Sequence, residues 1–247
     1  MDFAKEQARF RRSKPSRLGR GIERLTHPFG KAIAGVVPKW LVEAVLKGLD
    51  TAVAMPPLVK FTHDPADLEA ARKAAKTVAR AASGISGASG AAAGFGGVVT
   101  AGLDIPATIA IALRVIRDTG KTYGYPGDGP REKLFRLQVL ELAALDETEE
   151  RDRRIAALEA AIGPDGELIE ADHEEITPVI DQAVERVSRA IALTSFRSRA
   201  GMIVPVVGSA IGGIVNSSFQ SDVGKAARFA FQERRLKAQA GTSGSAT

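Results

Sequence analysis

Apolar residues recur at helical spacing along most of this chain, and strand-like alternation is scarce. Leu41, Val42, Val45, Leu46, Leu49 and Val53 follow Pro38 at intervals of three and four, with Glu43, Lys47 and Asp50 between them. That pattern predicts an amphipathic helix with one stripe turned to a core. "MPPLVKF" ends it, and a second helix reads through "PADLEAARKAAKTVARAAS", with Asp64 or Thr62 placed to cap it and Pro65 suited to a first helical position. This helix feeds a glycine run, "SGISGASGAAAGFGG". Helical period returns after Asp104 in "ATIAIALRVIRDTGKTYGY", ending at Gly120 or Gly124, and again in "PREKLFRLQVLELAALDE". A short helix around Ile155 to Ala161 and a turn at "GPDGE" precede a longer helix through Ile180, Val184, Val187, Ile191 and Phe196. A last apolar segment, "GMIVPVVGSAIGGIVNSSF", leads into a basic helix, "QSDVGKAARFAFQERRLKAQ", and a Gly/Ser/Thr tail. The expected fold is all-α: a single compact helical bundle with two glycine-rich apolar helical segments.

The glycine run invites a phosphate-loop reading, which its neighbours exclude. A Walker loop needs a Lys followed by Ser or Thr after its second glycine, and none is present. Gly94, Gly96 and Gly97 also depart from the dinucleotide fingerprint, and they follow a helix where that motif needs a strand. Packing is the better reading. Gly90 and Gly94 are four apart, as are Gly208 and Gly212, so each pair falls on one helix face and lets a neighbouring backbone approach closely.

Neither apolar segment makes a good membrane span. Val98 to Ile116 contains Asp104, Pro106 and Arg114, and Ala200 to Ser221 carries Pro205, Asn216 and several serines, whereas a spanning helix needs about 20 predominantly apolar residues. A soluble helical core is the first expectation, a membrane-surface or shallowly inserted hairpin the second.

Composition and charge sharpen this. With 247 residues, 45% of them hydrophobic, the chain can bury a real core, and the absence of cysteine removes disulfides, thiolate metal sites and cysteine nucleophiles. Residues 1–31 carry nine Lys or Arg against three acidic residues, and residues 146–175 carry twelve Asp or Glu against three Arg. The expected organisation is therefore a basic N-terminal arm over 1–35, a helical domain over 36–237 with an acidic insertion at 146–175, and a flexible tail over 238–247. The arm lacks the apolar region of a secretory signal, which points to a cytoplasmic protein, peripheral at the inner face of the cell membrane. Cationic arms are drawn to anionic lipid at about 1 kcal/mol per basic residue.

Among polar residues, Asp104 stands out inside an uncharged run, with an N-cap role before Ile105 and Pro106 as its simplest explanation. Arg114 lies about 15 Å further along a continuous helix and needs another partner, a phosphate or a carboxylate of the acidic segment. Tyr123 and Tyr125 suit a membrane interface or the closing of a core, and Asn216 suits a cap or a bond to Asp104. Together Asp104, Arg114, Tyr123, Tyr125 and Asn216 form the candidate ligand or lipid pocket. His173 within "ADHEEITP" reads as a solvated helix start, and "PDGELIE" places Ile169 where a calcium loop needs an oxygen ligand. No catalytic residue, cofactor or metal ligand is assigned.

The run from Ala82 to Tyr125, with "LDIPATIAIALRVI" and "YGY", and "VPVVGSAIGGIVNSSF" followed by "AARFAFQERR", resembles the EcsC protein family of bacteria over about Trp40 to Arg235. The resemblance implies a helical fold and an association with ABC-transporter operons, and it carries no biochemical activity. The expectation is a membrane-surface-associated or lipid-binding protein, accessory to a membrane transport system, with an anionic lipid or acyl-chain ligand and a membrane protein as partners. An enzyme with a polar pocket around Asp104 and an oligomerising interaction protein are the alternatives. Nucleic acid ranks last, because a basic tail with 5% aromatic residues attracts without reading bases.

Overall fold

The computed structural model describes residues 3–13, 37, 39–94, 104–145, 148–170, 173–200 and 208–244, and the side chains of these except at 85–94, 104–105, 173–175, 193–200, 208–218 and 243–244. Among the described residues the chain forms eight helices: α1 (Phe3–Arg12), α2 (Lys39–Ala54), α3 (Leu68–Gly94), α4 (Asp104–Thr122), α5 (Pro130–Ala144), α6 (Thr148–Ala160), α7 (His173–Ala200) and α8 (Gly208–Gly244). An isolated antiparallel bridge between Ile162 and Leu168 is the sole β pairing among them. The fold is all-α.

Helix α8 organises the bundle. It packs most extensively against α3 and also touches α4, α5, α1 and α6, while α2 lies on α4 and α7, and α5 on α7. The apolar stripes read from the sequence meet in the core, where Val45, Leu113, Ile116, Leu137, Val187 and Phe231 are buried. Each such side chain contributes about 1.5–3 kcal/mol relative to exposure. The α3–α8 pair is antiparallel and close: a Cβ on Gly224 would lie 2.7 Å from that of Ala79. Gly90, Gly94, Gly208 and Gly212 belong to these same two helices, but their surroundings fall outside the described side chains.

Several boundaries differ from expectation for local reasons. Helix α3 starts at Leu68, because the Asp67 carboxylate accepts from Glu69 N at 2.9 Å and Ala70 N at 3.0 Å, while Asp64 serves a turn through Ala66 N. The glycine run continues α3 to Gly94. The late apolar segment from Gly208 onward and the basic helix are one element, α8, which reaches into the expected tail; Thr242 there donates to the Ala238 and Gln239 carbonyls. The acidic stretch holds a longer helix than expected, α6, fastened to the body by buried Arg151, Ile155 and Leu158. Its "GPDGE" turn is real, with Gly166 at φ +78° and Gly163 N donating to Glu167 O at 2.8 Å. The first ten residues of the basic arm's described part form α1, which docks on α8. No helix among the described residues is long and apolar enough to cross a membrane.

Candidate functional site

The residues singled out in the sequence go to separate places. Arg114 does not face a phosphate or the acidic segment: its Nε and Nη2 donate to Pro56 O at 3.0 and 2.6 Å. Fully buried Arg117 does similar work beside it, donating to the carbonyls of Ala52, Val53 and Met55 and pairing with Asp118 at 2.6 Å; Asp118 in turn accepts from Leu58 N at 2.7 Å. These arginines satisfy the carbonyls left open where α2 ends at its two prolines. Their role is to hold the α2 exit against α4.

Tyr123 and Tyr125 close the core at the end of α4, both buried. Tyr125 faces α8, with the guanidinium of buried Arg234 3.8 Å from its ring centre; Arg234 also binds Glu132 through Nη1 at 2.8 and 3.0 Å. Tyr123 lies in the field of Arg228, Glu6 and Arg72, and burial pushes its hydroxyl well above the usual phenol range. Asp104 begins α4 and Asn216 lies within α8, but both side chains are outside the described ones. Arg114, Tyr123 and Tyr125 are not among the residues that line the cavity described next.

A cavity of about 560 Å³ does exist elsewhere, between α1, α3, α6 and α8. Its volume is in the usual range for small-molecule sites. Lys5 and Arg9 of α1 and Arg72 and Lys76 of α3 line one side; Arg151 of α6 and Lys225 and Arg228 of α8 line the other. Against these stand two acidic side chains, Glu6 and Asp222. Phe10, Leu142, Ala143 and Phe229 supply an apolar patch, with Phe10 stacked on Phe229 at 4.4 Å.

The cations are not equivalent. Lys225 pairs with Asp222 at 2.8 Å, and Arg72 grips Glu69 through two bonds of 2.5 and 3.1 Å, which raises its pKa. Arg151 is only 6% exposed, yet no carboxylate lies within 4 Å of it among the described residues. It rests 4.4 Å over the Phe10 ring and makes one long bond, 3.4 Å, to the Phe10 carbonyl. Burial depresses its pKa, with Asp152 and Asp222 opposing from a distance. Burial also depresses Arg228, whose Nε lacks a hydrogen-bond partner among the described residues. Gln232 joins Gln7 through a 2.6 Å bond, leaving Gln232 Nε2 and Gln7 Oε1 unpaired. Buried donors left in this state cost about 1–3 kcal/mol each. A ligand with several acceptor oxygens would satisfy the donors Arg228 Nε and Gln232 Nε2, and arginine forks match phosphate and carboxylate geometry.

Sequence reading missed this site because its residues come from five helices with no shared local motif. One signal was present. Arg151, Ile155 and Leu158 fall at i, i+4 and i+7, as do Arg72, Ala75 and Ala79 at i, i+3 and i+7, so each arginine sits on an apolar stripe where a charge is unexpected.

The sequence profile of the EcsC protein family matches residues 2–236. YdbA, an uncharacterized protein of Bacillus subtilis (strain 168), is 25% identical to this chain over 150 residues, 58% of this chain and 50% of YdbA. The chain thus spans about half the length of that relative. No solved structure matches.

Proposed function

The chain belongs to the EcsC protein family, and we propose that this member binds the phosphate-bearing headgroup of an anionic lipid in the α1–α3–α6–α8 cavity and so works at a membrane surface. The observation that carries the reading is Arg151, a buried guanidinium lining a cavity with no carboxylate bonded to it. Such a charge is costly in the free protein and becomes favourable once an anion enters. The surrounding cations add attraction, and Phe10, Leu142 and Phe229 offer an apolar wall for the root of an acyl chain. The rest of the basic N-terminal segment supplies general attraction to an anionic leaflet. The reading puts the protein at the cytoplasmic face of the cell membrane, as an accessory to a membrane transport system.

Vesicle flotation tests this. The full chain is mixed with vesicles of phosphatidylcholine alone or of phosphatidylcholine with phosphatidic acid, beside the double variant Arg151→Met, Lys76→Gln. The wild type floats with the anionic vesicles and stays down with the neutral ones, and the variant loses most of that binding although its N-terminal segment is intact. Equal flotation of variant and wild type, or none by either, overturns the reading.

A further inference from the structure

Helix α1 forms one wall of the cavity. Gln7 is its one buried residue among those described. Phe3, Gln7 and Phe10 share its inner face at i, i+4 and i+7, while Lys5 and Arg9 are exposed residues at the cavity's edge. Its ties to the body include the Gln7 bonds to Gln232 and to the Phe229 carbonyl, the Phe10–Phe229 stack, the Arg151 guanidinium over the Phe10 ring, and Arg11, which pairs with Glu159 at 2.5 Å and reaches Glu233 at 3.6 Å. A ten-residue helix is not stable by itself in water. Its docking is therefore set by side-chain contacts such as these.

A further tie lies in the cavity itself. Glu6, the acidic residue of α1, points its carboxylate between two cations, 4.0 Å from Arg72 Nη1 and 4.0 Å from Arg228 Nε. Both distances are too long for hydrogen bonds, so the carboxylate neutralises the two charges while leaving Arg228 Nε unpaired. One carboxylate is a poor match to these two guanidinium groups.

We infer that the space between Arg72 and Arg228 is the seat for the ligand's phosphate, and that Glu6 of α1 is a resident anion which the phosphate displaces, making α1 a strap that ligand binding releases. This rests on the proposed reading of the cavity. A phosphate monoester brings up to two negative charges and three acceptor oxygens where Glu6 brings one charge, so exchange favours the ligand at a seat built of arginines. The released strap then offers Phe3 and Phe10 together with Lys5, Arg9 and Arg12, the composition of a helix that lies in a membrane interface. Binding and membrane attachment would be coupled through one carboxylate.

The test removes that carboxylate's charge. Full-length protein and its Glu6→Gln variant are titrated with two probes, inorganic phosphate and vesicles of phosphatidylcholine with phosphatidic acid, and amide hydrogen exchange of residues 3–12 is followed with and without each probe. Glu6 is partly exposed, and a thermal melt confirms that the variant folds. The expected result is binding about five- to tenfold tighter in Glu6→Gln, from removal of the competing anion, and faster exchange over 3–12 in the wild type when the probe is added. In an Arg228→Gln background the same change gives no gain. Tightening with both probes assigns recognition of the phosphate itself, and tightening with vesicles alone assigns a headgroup presented by a membrane. A wild type that binds while Glu6→Gln binds equally or more weakly overturns the strap and leaves the cavity reading standing. Binding by neither protein to either probe overturns both.

Discussion

Replacing Arg151 by Met separates a residue kept for a ligand from one kept for the fold. Arg151 is 6% exposed and its strongest neighbours are the Phe10 ring at 4.4 Å and the Phe10 carbonyl at 3.4 Å. Removing a guanidinium from water without a bonded counter-ion costs several kcal/mol after relaxation, of which the ring contact returns about 1–2 and the long carbonyl bond about 1 at most. The residual cost is about 1–2 kcal/mol against the folded state. The lowered pKa has the same sign: a base that is harder to charge in the fold than in the unfolded chain reduces stability at every pH at which it is protonated in both. Methionine keeps the packing of the aliphatic stem and drops the charge. Arg151→Met is therefore expected to raise Tm by about 2–8 °C, using about 2–4 °C per kcal/mol for a chain of this size. The assay is a circular-dichroism melt of both proteins in a buffer without phosphate, then again with phosphatidic acid dispersed in detergent. The wild type gains stability from the lipid and the variant does not. A variant that melts several degrees below the wild type would refute the reasoning, because the arginine would then be supporting the fold.

Three further outcomes follow from geometry. Gly224→Ala places a Cβ 2.7 Å from that of Ala79; overpacking of about 1–3 kcal/mol exceeds the roughly 1 kcal/mol gained in helix propensity, and urea unfolding should show a net loss that Ala79→Gly restores. Gly166→Ala combines a left-handed φ of +78° with a Cβ 2.8 Å from Tyr125 Oη and against the Arg234 carbonyl, so a loss of about 2–4 kcal/mol is expected in the same assay. The chain has two tyrosines, both with pKa raised chiefly by burial. A raised acid pKa means the fold holds its proton longer, so stability falls as pH rises past the ordinary phenol value of 10.0. Ultraviolet absorbance should show no phenolate near that pH and then an abrupt release on alkaline unfolding; gradual ionisation in folded protein would contradict the burial.

The helices were legible because their core is built from period alone. Leu41, Val45 and Leu49, or Val184, Val187 and Ile191, repeat at three and four and are buried as that spacing requires. Boundaries were less so. Asp64 and Asp67 are both competent caps, and only the turn made by Asp64 through Ala66 N decides that Asp67 starts α3. The acidic stretch read as an insertion because net charge hides one buried face, Arg151, Ile155 and Leu158, among exposed carboxylates. The site was not legible as a set. A charge on an apolar stripe is visible locally, but which ones meet depends on how α1, α3, α6 and α8 dock, and the same signal marks Arg117 and Arg234, which satisfy carbonyls and Glu132 instead. Arg114 illustrates the converse: a charge that looked in need of a ligand is consumed by the Pro56 carbonyl.

The claim that most needs testing is that an anionic headgroup occupies the cavity between α1, α3, α6 and α8. A phosphatidic acid carrying a photoreactive group beside its phosphate, presented in vesicles to the full chain and mapped by peptide mass spectrometry, addresses it directly. The account predicts labels on the α1 and α6 peptides and on α8 around Lys225 to Gln232, lost when Arg151 is replaced by Met. Labels confined to other surfaces, such as the exposed Trp40 and Leu46 of α2, would contradict it.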